Sequence, residues 1–393
     1  MKQTSVPDGW KEVKLGDIAE ISQGYTFKPE YQGSPIEKWN YFKVADIGLL
    51  TNHKYLYHAI NTISDETLNV MKRTLFKKGS IIFPRVGAAL KNNNKKILSC
   101  DSLIDDNTLA LTVTDVVTDS EFIYYVFETK DISTFCNDGT VPVINAGNVL
   151  KQEILLPPLA EQKAIAETLS VWDNMIDKME QLIARKEEKR IWLSNKLIAN
   201  NLNRKTWTQV KLKEILQEGS KMPVSDTNLY NKITIKLHKN GLCFSDNTRE
   251  MADTRPFYVR HTDELIIGKQ NYFNGSIALV DKQFDGSICS NAIMSFVISD
   301  EVDKKFLYEA ISYNGYLEKH AALANGTGQK ELSENDFLNF EILLPSINEQ
   351  HKIADLVSSY QGEIDLQKQL IAQYKIQKQG LMQKLLTGQW RIK

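Results

Sequence analysis

The residues best able to do chemistry in this chain are cations set among amides. Between Thr67 and Cys100 lie eight positive residues and no acid: Lys72, Arg73, Lys77, Lys78, Arg85, Lys91, Lys95 and Lys96. A net charge of −1 does not oppose phosphate binding, because the field is set by the face presented. The competing reading is a solvated, lysine-rich surface. Arg85 ends a strand-like run just before Gly87, and the loop Lys91, Asn92, Asn93, Asn94, Lys95, Lys96 follows. Arginine can pair bidentately with guanine and asparagine with adenine. The lysines suit phosphates. The matching place further on is Gly268 to Gly275, with Lys269, Gln270, Asn271, Tyr272 and Asn274 as candidates for base or phosphate contact. A polar, glycine-bearing turn recurs at Asn137–Asn145 and Asn325–Ser333, and adds Thr140, Thr327, Gln329 and Lys330. For each loop the alternative is an ordinary solvent-exposed turn.

Catalytic patterns are missing. No NPPY-like run suits an adenine methyltransferase, and the one Pro–Pro pair, Pro157–Pro158, sits between leucines. Neither a GxGxxG nor a GxxxxGK[ST] phosphate loop occurs. Glu187 to Lys189 has a nuclease-like ExK spacing but lies on the charged flank of a helix. The six histidines form no HExxH, and Cys100, Cys136, Cys243 and Cys289 form no CxxC pair. We therefore expect no metal site, no catalytic residue and a reducing, cytoplasmic setting. No run of 18 apolar residues and no apolar leader stand in the sequence, so neither a membrane span nor a signal peptide is expected. At 393 residues, 42% hydrophobic and 25% charged, the chain can bury two or three cores.

The elements that must position the loops are written twice. EILLPPLAEQKAIAETLS (Glu153–Ser170) and EILLPSINEQHKIADLVS (Glu341–Ser358) match at ten of eighteen positions. WKEVKLGDI (Trp10–Ile18) and WTQVKLKEI (Trp207–Ile215) match at five of nine. A weaker match sets Gly79–Arg85 against Asp263–Lys269. Shared ends with unlike middles predict one scaffold used twice with two reading surfaces. Short β-branched and aromatic runs broken by Gly, Asn and Asp predict mixed α/β domains over 1–157 and 206–345. Helical segments follow over 158–205 and 346–393.

Both helical segments carry a seam of alternating four- and three-residue spacing. The first runs Ile165, Leu169, Trp172, Ile176, Met179, Ile183 and resumes at Leu193 and Leu197. The second runs Ile353, Val357, Tyr360, Ile364, Gln367, Ile371, Tyr374, then Leu381 and Leu385. This is a coiled-coil pattern, interrupted by Lys186 and Arg190 in one helix and Lys378 in the other. Each helix of about 40 residues would be about 60 Å long. Matched length and register predict that the two pair antiparallel, giving an α+β fold with an internal pseudo-twofold repeat. Ser346 with Glu349 predicts a capping box on the second helix, while Pro158 stands at that place in the first.

At Leu156–Gln162, with Ile176–Asp177 beyond, and again at Leu344–Gln350, with Ile364–Asp365 and the ending Leu385–Lys393, the sequence resembles the specificity (S) subunits of type I restriction–modification systems. The opening WKEVKLGDI resembles the start of that family's domains. Departures are Ala160 and Asn348 before the Glu–Gln pair, and Pro158 in place of a capping residue. The resemblance implies a non-catalytic subunit that reads a bipartite double-stranded DNA site through two target recognition domains. It implies partnership with two methyltransferase (M) subunits and two motor–nuclease (R) subunits. S-adenosylmethionine, ATP and Mg would serve those partners, and this chain would hold no cofactor. A self-contained enzyme and a coiled-coil scaffold without DNA recognition are the rival classes.

Overall fold

The computed structural model describes residues 6–34, 36–49, 51–137, 141–201, 205–245, 255–324 (322–324 as backbone only) and 331–392. It contains two compact units, Met1–Gln181 with Gln369–Lys393, and Leu182–Lys368. Each is a mixed α/β body, and the same frame recurs in both.

In the first unit a five-stranded sheet runs, in spatial order, Ala19–Gln23, Thr108–Val113, Ile81–Pro84, Lys96–Leu98 and Tyr55–Leu56. All pairs are antiparallel except the last. Alternation along a strand sends neighbours to opposite faces. Ile81, Phe83, Leu109 and Leu111 join Phe122, Ile123 and Tyr125 of the helix Ser120–Glu128 in one core. Ile82, Leu98 and Ala110 face a second core with Phe42, Ile47 and Leu56. Both faces are covered, which is why Ile81–Pro84 is buried along its whole length.

The second unit repeats this with four antiparallel strands, in the order Leu216–Glu218, Ile293–Ile298, Leu265–Gly268, Ile277–Leu279. Leu265, Ile267, Met294 and Phe296 pack with Leu307 and Ile311 of the helix Lys304–Ser312. Ile266 and Ala278 face the other side.

A two-stranded antiparallel sheet closes each unit in the same register, Lys11–Lys14 on Glu153–Leu156 and Thr208–Lys211 on Glu341–Leu344. From each of these sheets a long helix departs, Leu159–Ser194 and Ile347–Leu386. The Glu–Gln motif explains the joint. The Gln162 side chain, 1% exposed, accepts from Asp119 N (2.8 Å) and donates to the carbonyls of Pro157 (2.8 Å) and Val117 (3.2 Å). Gln350, equally buried, accepts from Asp303 N (2.9 Å) and donates to Pro345 O (2.9 Å). Asp119 and Asp303 in turn cap the helices of their units through Phe122 N and Phe306 N. One amide thus ties the start of each long helix to the cap of each domain helix. The expected capping box at Ser346 does not form among the described residues. Glu349 N and Gln350 N bond the Ser346 carbonyl, and the Glu349 carboxylate accepts from Asn201.

The two long helices pack as an antiparallel coiled coil in each unit. In the first, Asp173 pairs with Lys378, Glu180 with Lys375 (2.7 Å), and Trp172 meets Tyr374 edge-on at 6.1 Å. In the second, Lys186 pairs with Glu363, Glu187 with Lys368 (2.6 Å), and Lys189 lies over Tyr360. Every seam position from Ile165 to Leu197 and from Ile353 to Leu385 named above is buried or half-buried. The cations that interrupt the pattern are paired: Lys186 with Glu363, Arg190 with Glu309, Lys378 with Asp173. No helix of the described residues is long and apolar enough to cross a membrane.

Candidate nucleic-acid interface

The rim of each unit starts where its central strand ends. In the first unit that residue is Arg85. Its N–H donates to Asn107 O (2.8 Å) and its carbonyl accepts from Ile144 N (2.9 Å). In the second it is Lys269, whose N–H donates to Ala292 O (3.0 Å) and whose carbonyl accepts from Leu332 N (2.9 Å). The backbone stations are the same and the side chains differ. Arg85 is half-exposed, with Nη1 donating to Asp106 O (3.3 Å). Lys269 is half-exposed, with Nζ 4.0 Å from Glu334.

Beyond Arg85 the chain turns at Gly87, whose φ of +80° suits glycine, into a short 3-10 turn over Ala88–Asn92. Lys91 and Asn92 are exposed and Asn94 is half-exposed. Asn93 works internally: its side-chain oxygen accepts from Ile132 N (3.0 Å) and Lys95 Nζ (2.9 Å). The expectation that Lys95 holds a phosphate is corrected. The residue is 2% exposed, lies over the Phe127 ring, and burial holds its ammonium below the usual lysine range. Lys96 also turns inward, donating to His53 O, and burial lowers its pKa too. Lys72, Arg73, Lys77 and Lys78 stay exposed, so with Lys91 five of the eight cations are exposed, beside the half-exposed Arg85. Arg73 stacks over Tyr25 and Lys77 pairs with Asp101.

In the second unit Gln270, Asn271 and Asn274 are exposed, and Asn274 Nδ2 donates to Asn271 Oδ1 (3.3 Å). Tyr272 is the second correction. It is 0% exposed, and its hydroxyl donates to Ile311 O (2.8 Å), so it anchors the turn in the core. Thr140, Thr327, Gln329 and Lys330 lie outside the described residues.

Two neighbours escaped sequence reasoning. The turn Asp105–Asn107 abuts Arg85 and is gripped by Gln23 Nε2 on Asp106 O (2.8 Å) and Thr26 on Asp106 Oδ2 (2.8 Å). Asp105 is buried with one oxygen unpartnered, and burial, with Asp106 beside it, pushes its carboxyl up to about 6. In the second unit a hairpin tip with His238 and Lys239 lies against the Gln270–Asn274 turn, through His238 N to Asn274 O (2.8 Å) and Lys239 N to Gly275 O (2.9 Å). A Cβ on Gly275 would meet Lys239 N at 3.0 Å. The signal for this second pair was Lys236–Asn240 itself, a basic polar turn without a partner in the repeat. Among the described residues one group has metal-ligand types together, His53, Asp177 and Glu180. Its groups already face protein partners, His53 Nδ1 lying 3.2 Å from Asp177 and Glu180 pairing with Lys375 (2.7 Å).

Such rims offer a guanidinium, ammoniums and amides on rigid backbone, which is the chemistry of phosphate and base-edge contact. Comparison with known proteins identifies the family. The family model described as type I restriction modification DNA specificity domain matches residues 7–187 and 204–375. Two curated relatives from Methanocaldococcus jannaschii are similar along nearly their whole length. The type I restriction enzyme MjaVIII specificity subunit is 22% identical, covering 99% of this chain and 94% of the relative. The MjaIX specificity subunit is 24% identical, covering 98% and 95%. Among solved structures, the type I restriction–modification S subunit from M. genitalium superposes with a TM-score of 0.60 at 17% identity, covering 98% of both chains. A structure titled for complex assembly and conformational transition of the type I R-M system gives 0.54 at 16% identity, covering 98% and 99%.

Proposed function

Since the chain belongs to the type I restriction modification DNA specificity domain family, we propose that its two units read the two halves of one asymmetric, bipartite DNA site. The first half is read by the rim around Arg85, Lys91, Asn92 and Asn94. The second is read by Lys269, Gln270, Asn271 and Asn274. The coiled coil fixes the unread gap between the half-sites and gives methyltransferase subunits their docking surface. Methyl transfer from S-adenosylmethionine to adenine N6, and ATP- and Mg-dependent cleavage by motor–nuclease subunits, belong to those partners. This chain is the recognition subunit, with no catalytic step of its own.

The observation that carries the reading is the duplicated station. Arg85 and Lys269 are pinned by matching backbone bonds, and each opens a rim of unlike polar groups. One frame with two different rims is what an asymmetric target needs.

The test is to express the chain with its cognate methyltransferase subunit in a host lacking both, and to map N6-methyladenine across the genome. The expected result is one asymmetric, two-part motif with a fixed gap, absent when this chain is omitted. Methylation without it, or one unbroken motif, would overturn the reading. Deleting one heptad from each long helix should then change the gap and leave both half-sites unchanged.

A further inference from the structure

The central ladder of the first unit carries one pair past its end. Pro84 faces Thr108 in the register, so Arg85 faces Asn107, and a bond from Arg85 N to Asn107 O (2.8 Å) holds them there. Opposed residues of an antiparallel ladder share a face, with Cβ atoms about 5 Å apart. Successive bases of a DNA strand lie about 3.4 Å apart along the axis. Two polar side chains opposed in this way can meet neighbouring base pairs.

Asn107 is exposed and Arg85 half-exposed. Asparagine is common in turns because it tolerates a positive φ or bonds its own backbone. Asn107 does neither: its φ is not positive, and its side chain makes one long bond, Nδ2 to Asp106 Oδ1 (3.4 Å). The turn that carries it is held fast. Thr26 and Gln23 grip Asp106 at 2.8 Å each. Gly24, between them, lets two backbones touch, since a Cβ there would collide with the carbonyls of Asp105 and Ile104. The Arg85 guanidinium leans on Asp106 O (3.3 Å). The Asp106 carboxylate beside the pair repels a phosphate and leaves a neutral base edge unopposed.

We propose that Asn107 is a specificity-determining residue of the first unit, reading an adenine in the base pair next to the guanine that Arg85 reads. A carboxamide offers one donor and one acceptor, which match N7 and N6 of adenine in the major groove, as a guanidinium matches guanine. The same place in the second unit is Ala292, since Gly268 faces Ile293 and Lys269 N donates to Ala292 O (3.0 Å). A methyl group makes no hydrogen bond, so Lys269 has no amide companion at this place. The two half-sites therefore differ where the two backbones agree. This assignment rests on the rim reading proposed above.

The test uses the full chain in complex with its cognate methyltransferase subunit. Duplexes carry the mapped motif with one base pair of either half-site changed at a time, and Kd is measured for each. With the unsubstituted chain, changing the adenine pair should weaken binding about tenfold or more. Asn107→Ala should reduce that loss to less than about threefold and leave the losses at all other pairs as they were. Arg85→Ala should relax the neighbouring pair instead. Asn107→Asp retains only acceptors, so its preference at the adenine pair should move to cytosine. An even weakening on every duplex overturns the assignment, and so does relaxation at a pair that does not adjoin the one Arg85 reads. If Asn107→Ala binds no duplex, Asn107→Asp decides: a changed base at that one pair supports the assignment, and a second failure to bind overturns it. Failure of the underlying reading looks different. The unsubstituted complex would then show no two-part motif, and the assignment would fall with it.

Discussion

In the first unit the strand Ile81–Pro84 releases Arg85 beside an acidic turn, and the loop behind it folds two of its lysines inward. In the second, Leu265–Gly268 releases Lys269 beside a basic hairpin tip, and the turn that follows is nailed down by Tyr272. Behind both rims the joints match: the register of the closing two-stranded sheet, the aspartate cap, the buried glutamine. A satisfied buried polar group tolerates no drift, because any change strands a partner in low dielectric. A rim side chain facing water has no such constraint. Sequence therefore stays similar at the joints and diverges at the rims.

The equivalence of the joints is the easiest part to break. Gln162→Ala and Gln350→Ala should each cost about 2–4 kcal/mol, because several buried partners lose their bonds together. Urea denaturation measures both, and a loss below about 1 kcal/mol in one alone would end the equivalence. The difference of the rims is tested next. Arg85→Ala should weaken binding about 10- to 100-fold, as loss of a bidentate base contact does. That loss should depend on the first half-site only. Duplexes altered in either half check this, and equal dependence on both would make Arg85 a general phosphate contact.

Asp105 sharpens the contrast, since the second unit has Ser290, Asn291 and Ala292 where the first has Asp105, Asp106 and Asn107. Its carboxyl titrates at about 6 in the fold, against about 3.9 in an unfolded chain. The folded chain holds the proton more tightly, so stability is full below about pH 4 and falls as pH rises to about 6. Asp105→Asn removes that loss. It should stabilise by about 1–2 kcal/mol at pH 8 and by nothing at pH 4, allowing for the bonds the carboxylate accepts from its own turn. Denaturation at the two pH values measures it, and a pH-independent difference would refute the assignment. The smallest effect belongs to Lys91→Ala. Affinity should drop by less than about threefold for every sequence, and the salt dependence should lose about one counterion. A sequence-dependent loss would move Lys91 among the base readers.

Much of the frame was legible because periodicity reports burial. The 3–4 spacing marked both long helices, and the strand-like runs at Ser80–Phe83, Leu265–Ile267 and Ala292–Ile298 fall on strands of the central sheets. The rims were legible only as composition. Lys95 and Tyr272 look like surface groups until the Phe127 ring and the Ile311 carbonyl, 32 and 39 positions away, are brought to them. Gln162 and Gln350 could be seen as a repeated motif. Their task was hidden, because Asp119 and Asp303 lie more than 40 positions upstream. Local pattern tells which face is apolar, and it does not tell which distant polar group will arrive to satisfy a neighbour.

The first unit's core includes Met382, Leu385 and Leu386, packed with Trp10, Ile165 and Leu169. The second unit is one unbroken stretch, Leu182–Lys368. On the ribosome, domains usually mature in the order in which they emerge. Here the first unit closes its core only when Met382–Leu386 have been made, after every residue of the second body. A chain cut after Lys368 would carry every residue of the second body and leave Trp10, Ile165 and Leu169 of the first without Met382, Leu385 and Leu386 to cover them.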